Sequence, residues 1–134
     1  MNRILWALQI VLAAIAAFTG IMHFVVPPDL PAPLQWMYAL PTPIHYIAGT
    51  AEVLAALGLL LPGLTRMHAR LTPLAALGLA MVMIGAMVFH VTRGEGLAAA
   101  INVIIAALAA FVAYGRWRIR ASIPTQAEAR LESR

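Results

Sequence analysis

Residues 4–26 contain no Asp, Glu, Lys or Arg. A helix of 23 residues at 1.5 Å rise per residue reaches about 35 Å, enough to cross a hydrocarbon core of about 30 Å. Lipid offers no hydrogen bonds to a bare backbone, so a long uniformly apolar run of this kind predicts a membrane-spanning α-helix. A cleaved signal peptide is the competing reading, because Arg3 precedes the run. The run exceeds the usual apolar stretch of about 7–15 residues, and it ends in His23-Phe24-Val25-Val26-Pro27-Pro28 rather than in a small-residue cleavage site, so we expect it to be retained.

Three more runs follow at 44–61, 71–91 and 97–114, each at least 18 residues long. Composition agrees with a spanning chain: 63% of the 134 residues are hydrophobic and 10% are charged, against about 25% charged in soluble domains. The predicted fold is all-α, a bundle of four transmembrane helices over residues 1–120 with a polar tail at 121–134. Absence of cysteine excludes disulfides, thiolate metal sites and cysteine nucleophiles within the chain.

Between the first two spans, residues 27–43 hold six of the nine prolines, which favour extended or turn backbone and predict a loop outside the core. Trp36, Tyr38 and Tyr46 fit an aromatic belt at headgroup level. Pro62-Gly63 is expected to close the second span and Gly115 the fourth. Basic residues then divide by side. Arg3, Arg66, Arg70, Arg116, Arg118 and Arg120 fall at one end of the bundle, and Arg93 alone marks the other. Counted this way, the positive-inside rule puts both termini in the cytoplasm. The net charge of +4 therefore reads as a topology signal in a lipid bilayer, with no nucleic acid as partner.

Depth along each span separates the remaining polar residues. From the outer ends of the helices, His45 and His90 lie about 2 Å in, His23 about 4 Å, Asn102 about 8 Å and Glu52 about 12 Å. All five occupy the outer half, where Thr19 joins His23 at a spacing of four and Glu52 shares a face with His45 at a spacing of seven. A carboxylate at the depth of Glu52 costs several kcal/mol unless it is neutral, paired or wet, so Glu52 is the leading functional candidate. The competing reading is a carboxyl hydrogen-bonded between helices. We assign acid–base roles to Glu52 and His23, and ligand-binding roles to His45, His90, Asn102 and Thr19, around one cavity floored by Glu52. A histidine at the interface is also simply wettable, and Asn102 serves equally as a link between helices. Metal or haem ranks behind other ligands, because neither H-x-x-x-H nor H-E-x-x-H occurs; no metal is assigned. Small residues are expected at the helix contacts, among them Ala55 and Gly58, and Gly78 and Gly85 in the third span.

Several of these stretches resemble the DoxX/DoxX-like family of small four-helix membrane proteins. Gly20-Ile21-Met22-His23-Phe24 is similar to the family's G-x-x-[KH]-[FL] element. Gly49-Thr50-Ala51-Glu52 followed by Gly58-Leu59-Leu60-Leu61-Pro62 resembles its G-x-x-E and G-L-L-x-P signature. Gly85-Ala86 with His90, Arg93 and Gly94 is similar to its third-helix end, and Ala113-Tyr114-Gly115-Arg116 to its ending. The resemblance spans about residues 3–118. It implies the same four-helix bundle, marks His23, Glu52 and His90 as recurring polar positions, and brings in relatives that include a small membrane subunit of a thiosulfate:quinone oxidoreductase.

The resulting expectation is a redox-associated accessory subunit of the bacterial cytoplasmic membrane. It would bind a small lipophilic, quinone-like ligand in an outer-half polar pocket and work with a redox enzyme subunit or as a homo-oligomer. Two alternatives stay open: a self-contained membrane isomerase or hydrolase using Glu52 and a histidine as acid and base, and a non-enzymatic assembly factor whose polar residues specify helix packing.

Overall fold

The computed structural model describes residues 2–65 and 70–121, with side chains through residue 119. Arg66, His68 and the tail beyond residue 121 lie outside the described residues. The described residues form four α-helices, α1 (Asn2–Phe24), α2 (Thr42–Thr65), α3 (Leu71–Thr92) and α4 (Gly96–Ala121), with a 3-10 helix, Ala32–Ala39, between α1 and α2. Each helix packs on the next, and α4 returns to α1. All four are long and apolar enough to cross a membrane.

One face of each helix makes the core. On α1 the buried residues Leu5, Gln9, Leu12, Ala16, Gly20 and His23 recur at steps of four, three, four, four and three, one face of the helix. Leu12 and Ala13 meet Ala55 and Leu59 of α2, Ala76 and Leu79 of α3, and Ala109 and Val112 of α4 in one continuous cluster. Large apolar side chains cover the outside as well. Ile10, Ile47, Met81 and Ile104 are all more than half exposed, a surface that water would not tolerate at this density and that lipid solvates. The chain is an integral membrane protein.

Three expectations about helix ends and contacts are corrected. Helix α2 continues through Pro62-Gly63 to Thr65, and α4 continues through Gly115 to Ala121. Both glycines are contact residues instead of stops: Gly63 lies against the Trp6 indole, and a Cβ on Gly115 would come within 2.8 Å of Leu5. Pro62 lacks an N–H for the helix. In that turn the Gln9 side chain crosses from α1 and donates to the Leu59 carbonyl at 2.6 Å. Gly58 does bring α2 onto α3 at Ala75, whereas Gly78 and Gly85 face outward with nothing within 4 Å of a Cβ.

The proline-rich connection is also more ordered than a loop. Pro31 precedes the 3-10 helix, whose Met37 is 2% exposed and whose Trp36 enters the bundle end. The Tyr38 hydroxyl accepts from the Leu30 N–H at 2.8 Å and lies 2.7 Å from the Pro28 carbonyl, to which it donates. That staple folds residues 27–40 into a cap over the ends of α1, α2 and α3.

Candidate functional site

The polar residues of α1 and α2 meet because two glycines let the helices touch. A Cβ added at Gly49 would stand 2.8 Å from the Gly20 carbonyl oxygen and 2.8 Å from His23 Cβ; one added at Gly20 would stand 3.0 Å from Glu52 Cβ. The absent side chains permit this approach. One turn to either side of the contact, a polar pair bridges the helices.

On the deeper side, Thr19 Oγ1 lies 2.5 Å from Glu52 Oε2 and 3.0 Å from the Ile15 carbonyl. A hydroxyl has one proton to donate. Both contacts are hydrogen bonds at once only when Glu52 carries its proton, donating to Thr19 while Thr19 donates to Ile15. Glu52 is 4% exposed, and this pairing satisfies an otherwise costly group.

Toward the cap, His23 Nδ1 and His45 Nδ1 are 2.8 Å apart, and His45 Nε2 lies 2.9 Å from the Met37 carbonyl. Both rings are buried. They form part of the wall of an open cleft of about 280 Å³, whose other lining residues include Phe24, Val26, Leu40, Thr42 and Tyr46. The lining mixes apolar side chains with the two histidines, Thr42 and two tyrosines, and the volume falls just below the range usual for small-molecule sites, about 300–1,000 Å³.

His90 belongs to a third group. Its Nδ1–H donates to Glu95 Oε2 at 2.6 Å, and Arg93 Nε donates to the other carboxylate oxygen at 2.8 Å. Gly94, at φ 73°, makes the turn that folds Glu95 back on His90. The His90 hydrogen bond, then Arg93, hold the Glu95 carboxyl below its usual value of 4.5. Trp36 joins this group to the histidine pair, edge-on to His90 with centroids 5.0 Å apart and to His23 at 6.0 Å.

The outer-half residues thus form three separate groups, not one cavity. Glu52, Thr19, His90 and Asn102 do not line the cleft, and the Asn102 amide donates to Ala98 of its own helix at 2.9 Å. Among the described residues no three His, Asp or Glu side chains gather as a metal site. Two participants escaped the sequence reading: Trp36, taken as a belt residue, and the Met37 carbonyl, which no side-chain pattern reports. A fourth polar group lies at the opposite end, where Arg116 bonds Gln9 Oε1 through Nε and Asn2 Oδ1 through Nη1 at 2.7 Å. Its guanidinium stacks on Trp6 at 5.2 Å, so Arg116 ties α4 to α1 as well as contributing to the basic end.

No match is found among curated proteins or among solved structures. The sequence model of the DoxX-like family matches residues 7–112, which take in the glycine contact, both bridging pairs, the cap and the turn at Gly94, and the chain belongs to that family.

Proposed function

We propose that this protein is a redox-associated accessory subunit of the bacterial cytoplasmic membrane, with both termini in the cytoplasm. It binds a small lipophilic, quinone-like ligand in the cleft beneath the cap. The observation that supports this reading is the hydrogen-bonded pair His23–His45 in the wall of an open cleft at the capped end of the bundle, lined by both polar and apolar side chains. Imidazole both accepts and donates near neutral pH, which suits a ligand whose oxygens gain and lose protons as a partner enzyme changes its oxidation state. Glu52, two turns deeper than His45 on α2, serves as a proton reservoir for the pair. The orientation rests on Arg3, Arg70, Arg116 and Arg118 falling at the end opposite Arg93.

The test is titration of the protein in nanodiscs with a short-tailed quinone and with the corresponding hydroquinone. Saturable binding that is lost in His23→Ala and weakened in Glu52→Gln is the expected result. Absence of saturable binding overturns the function; binding unchanged in Glu52→Gln removes Glu52 from it.

The closed Thr19–Glu52 bond favours a second reading, in which the carboxyl only fastens α1 to α2 in an assembly factor. Under that reading Glu52→Gln lowers the yield of folded protein and leaves ligand binding as it was.

A further inference from the structure

The hydrogen bonds around His45 determine which nitrogen of His23 is free. The Met37 carbonyl has no proton to give, so the 2.9 Å contact requires a proton on His45 Nε2. No carboxylate reaches either ring among the described residues: Glu52 is bonded to Thr19, and Glu95 to His90 and Arg93. A charge on a ring this buried would be uncompensated, so the pair is held as two neutral imidazoles. A neutral His45 with its proton on Nε2 presents a lone pair at Nδ1. The 2.8 Å contact between the two Nδ1 atoms is then a hydrogen bond only if His23 Nδ1 is the donor. That leaves His23 Nε2 as a bare acceptor.

This nitrogen has no hydrogen-bond partner among the described residues, and His23 lines the cleft. A ligand there meets a lone pair with a fixed address, backed by a chain of two hydrogen bonds that ends on backbone.

The geometry points to His23 Nε2 as the specificity-determining acceptor of the cleft, selecting ligands that offer a hydroxyl, such as a hydroquinone or another phenol, over those that offer only a carbonyl or an ether. This rests on the reading that the cleft binds a lipophilic ligand, and it adds which chemical form is bound. A carbonyl oxygen facing the bare nitrogen sets two lone pairs against each other, whereas a phenol O–H completes a bond that the protein leaves unmade.

Two measurements test it on the full chain in nanodiscs. Histidine 15N NMR without ligand reads the tautomer of His23, with His23→Gln used to assign its signals; the proton is expected on Nδ1 and the bare nitrogen at Nε2. Binding of a short-tailed hydroquinone, its dimethyl ether and the corresponding quinone reads the selectivity. The hydroquinone is expected to bind about tenfold tighter than either of the others, and His45→Phe, which releases His23 to either tautomer, should reduce that preference. A proton on His23 Nε2 in the wild type overturns the inference whatever binds. The expected tautomer with equal binding of all three probes overturns it too, and leaves the cleft standing as a ligand site. No binding by any probe overturns both this selectivity and the function on which it rests.

Discussion

Gly49 of α2 rests on Gly20 of α1 so closely that a methyl group at Gly49 would stand 2.8 Å from the Gly20 carbonyl oxygen. Of the three nearest neighbours, the Gly20 carbonyl oxygen and His23 Cβ cannot swing away, and the third is the edge of the Phe24 ring. Gly49→Ala should therefore push α1 from α2 and destabilise the bundle by about 1–3 kcal/mol, the usual cost of overpacking. Gly78→Ala is the control, because a Cβ there meets nothing within 4 Å. Unfolding titrations in mixed micelles should separate the two variants; equal stabilities would mean that the glycine contact is dispensable.

Thr19 and Glu52 share a hydrogen bond across the same interface. Thr19→Val keeps the shape, removes the hydroxyl and should cost about 1–3 kcal/mol by leaving the carboxyl unsatisfied. Thr19→Ser should recover most of that loss. The unfolding assay reads both, and a Val variant as stable as the Ser variant would show that Glu52 has another partner.

The turn between α3 and α4 should be weakened by acid. The Glu95 carboxyl is held below its usual 4.5 by His90 and Arg93. A group depressed in the folded state contributes its stability above the unfolded value and loses it as pH falls through the folded one. Thermal unfolding followed from about pH 7 to about pH 3 should show the wild type losing its advantage over Glu95→Gln in the acid limb. Parallel curves across that range would remove Glu95 from the account.

At the other end, Gln9 donates to Leu59 and accepts from Arg116, so one side chain links three helices. A double-mutant cycle of Gln9→Leu and Arg116→Met should give a coupling of about 1 kcal/mol, the scale of polar contacts between helices in membranes. Additive effects of the two substitutions would show that the contact contributes nothing.

The four spans were legible because the rule behind them is coarse: a long apolar run in lipid has to be helical. The stripe on α2 was legible too, since His45, Gly49 and Glu52 fall on one face by spacing alone, and that face is buried. What spacing does not encode is how near the next helix comes. Gly63 and Gly115 look like helix stops in a linear reading, but they receive Trp6 and Leu5 from a neighbouring helix. Pro62 looks like a break, but α2 runs through it to Thr65, and the Gln9 side chain bonds the Leu59 carbonyl in the same turn. Depth along separate helices likewise puts Glu52 and the histidines in one half of the bundle without showing that Gly20 and Gly49 divide them into two bridges. Trp36 was assigned to a belt because its residue type suits one; its place between His23 and His90 depends on how the prolines fold the cap.

The atom that sets the proton on His45 is a carbonyl oxygen, and every amino acid at position 37 would bring one. Exchanging Met37 for another side chain alters the packing of the cap without deleting that acceptor. Its register is another matter. Removing one residue from the eight of the 3-10 helix would advance the backbone by about 2 Å, carry the carbonyl out of reach of the ring and leave both imidazoles to choose their own tautomers. In this protein the chemistry of a histidine side chain is governed by chain length, so the cap can tolerate rewriting far better than it can tolerate shortening.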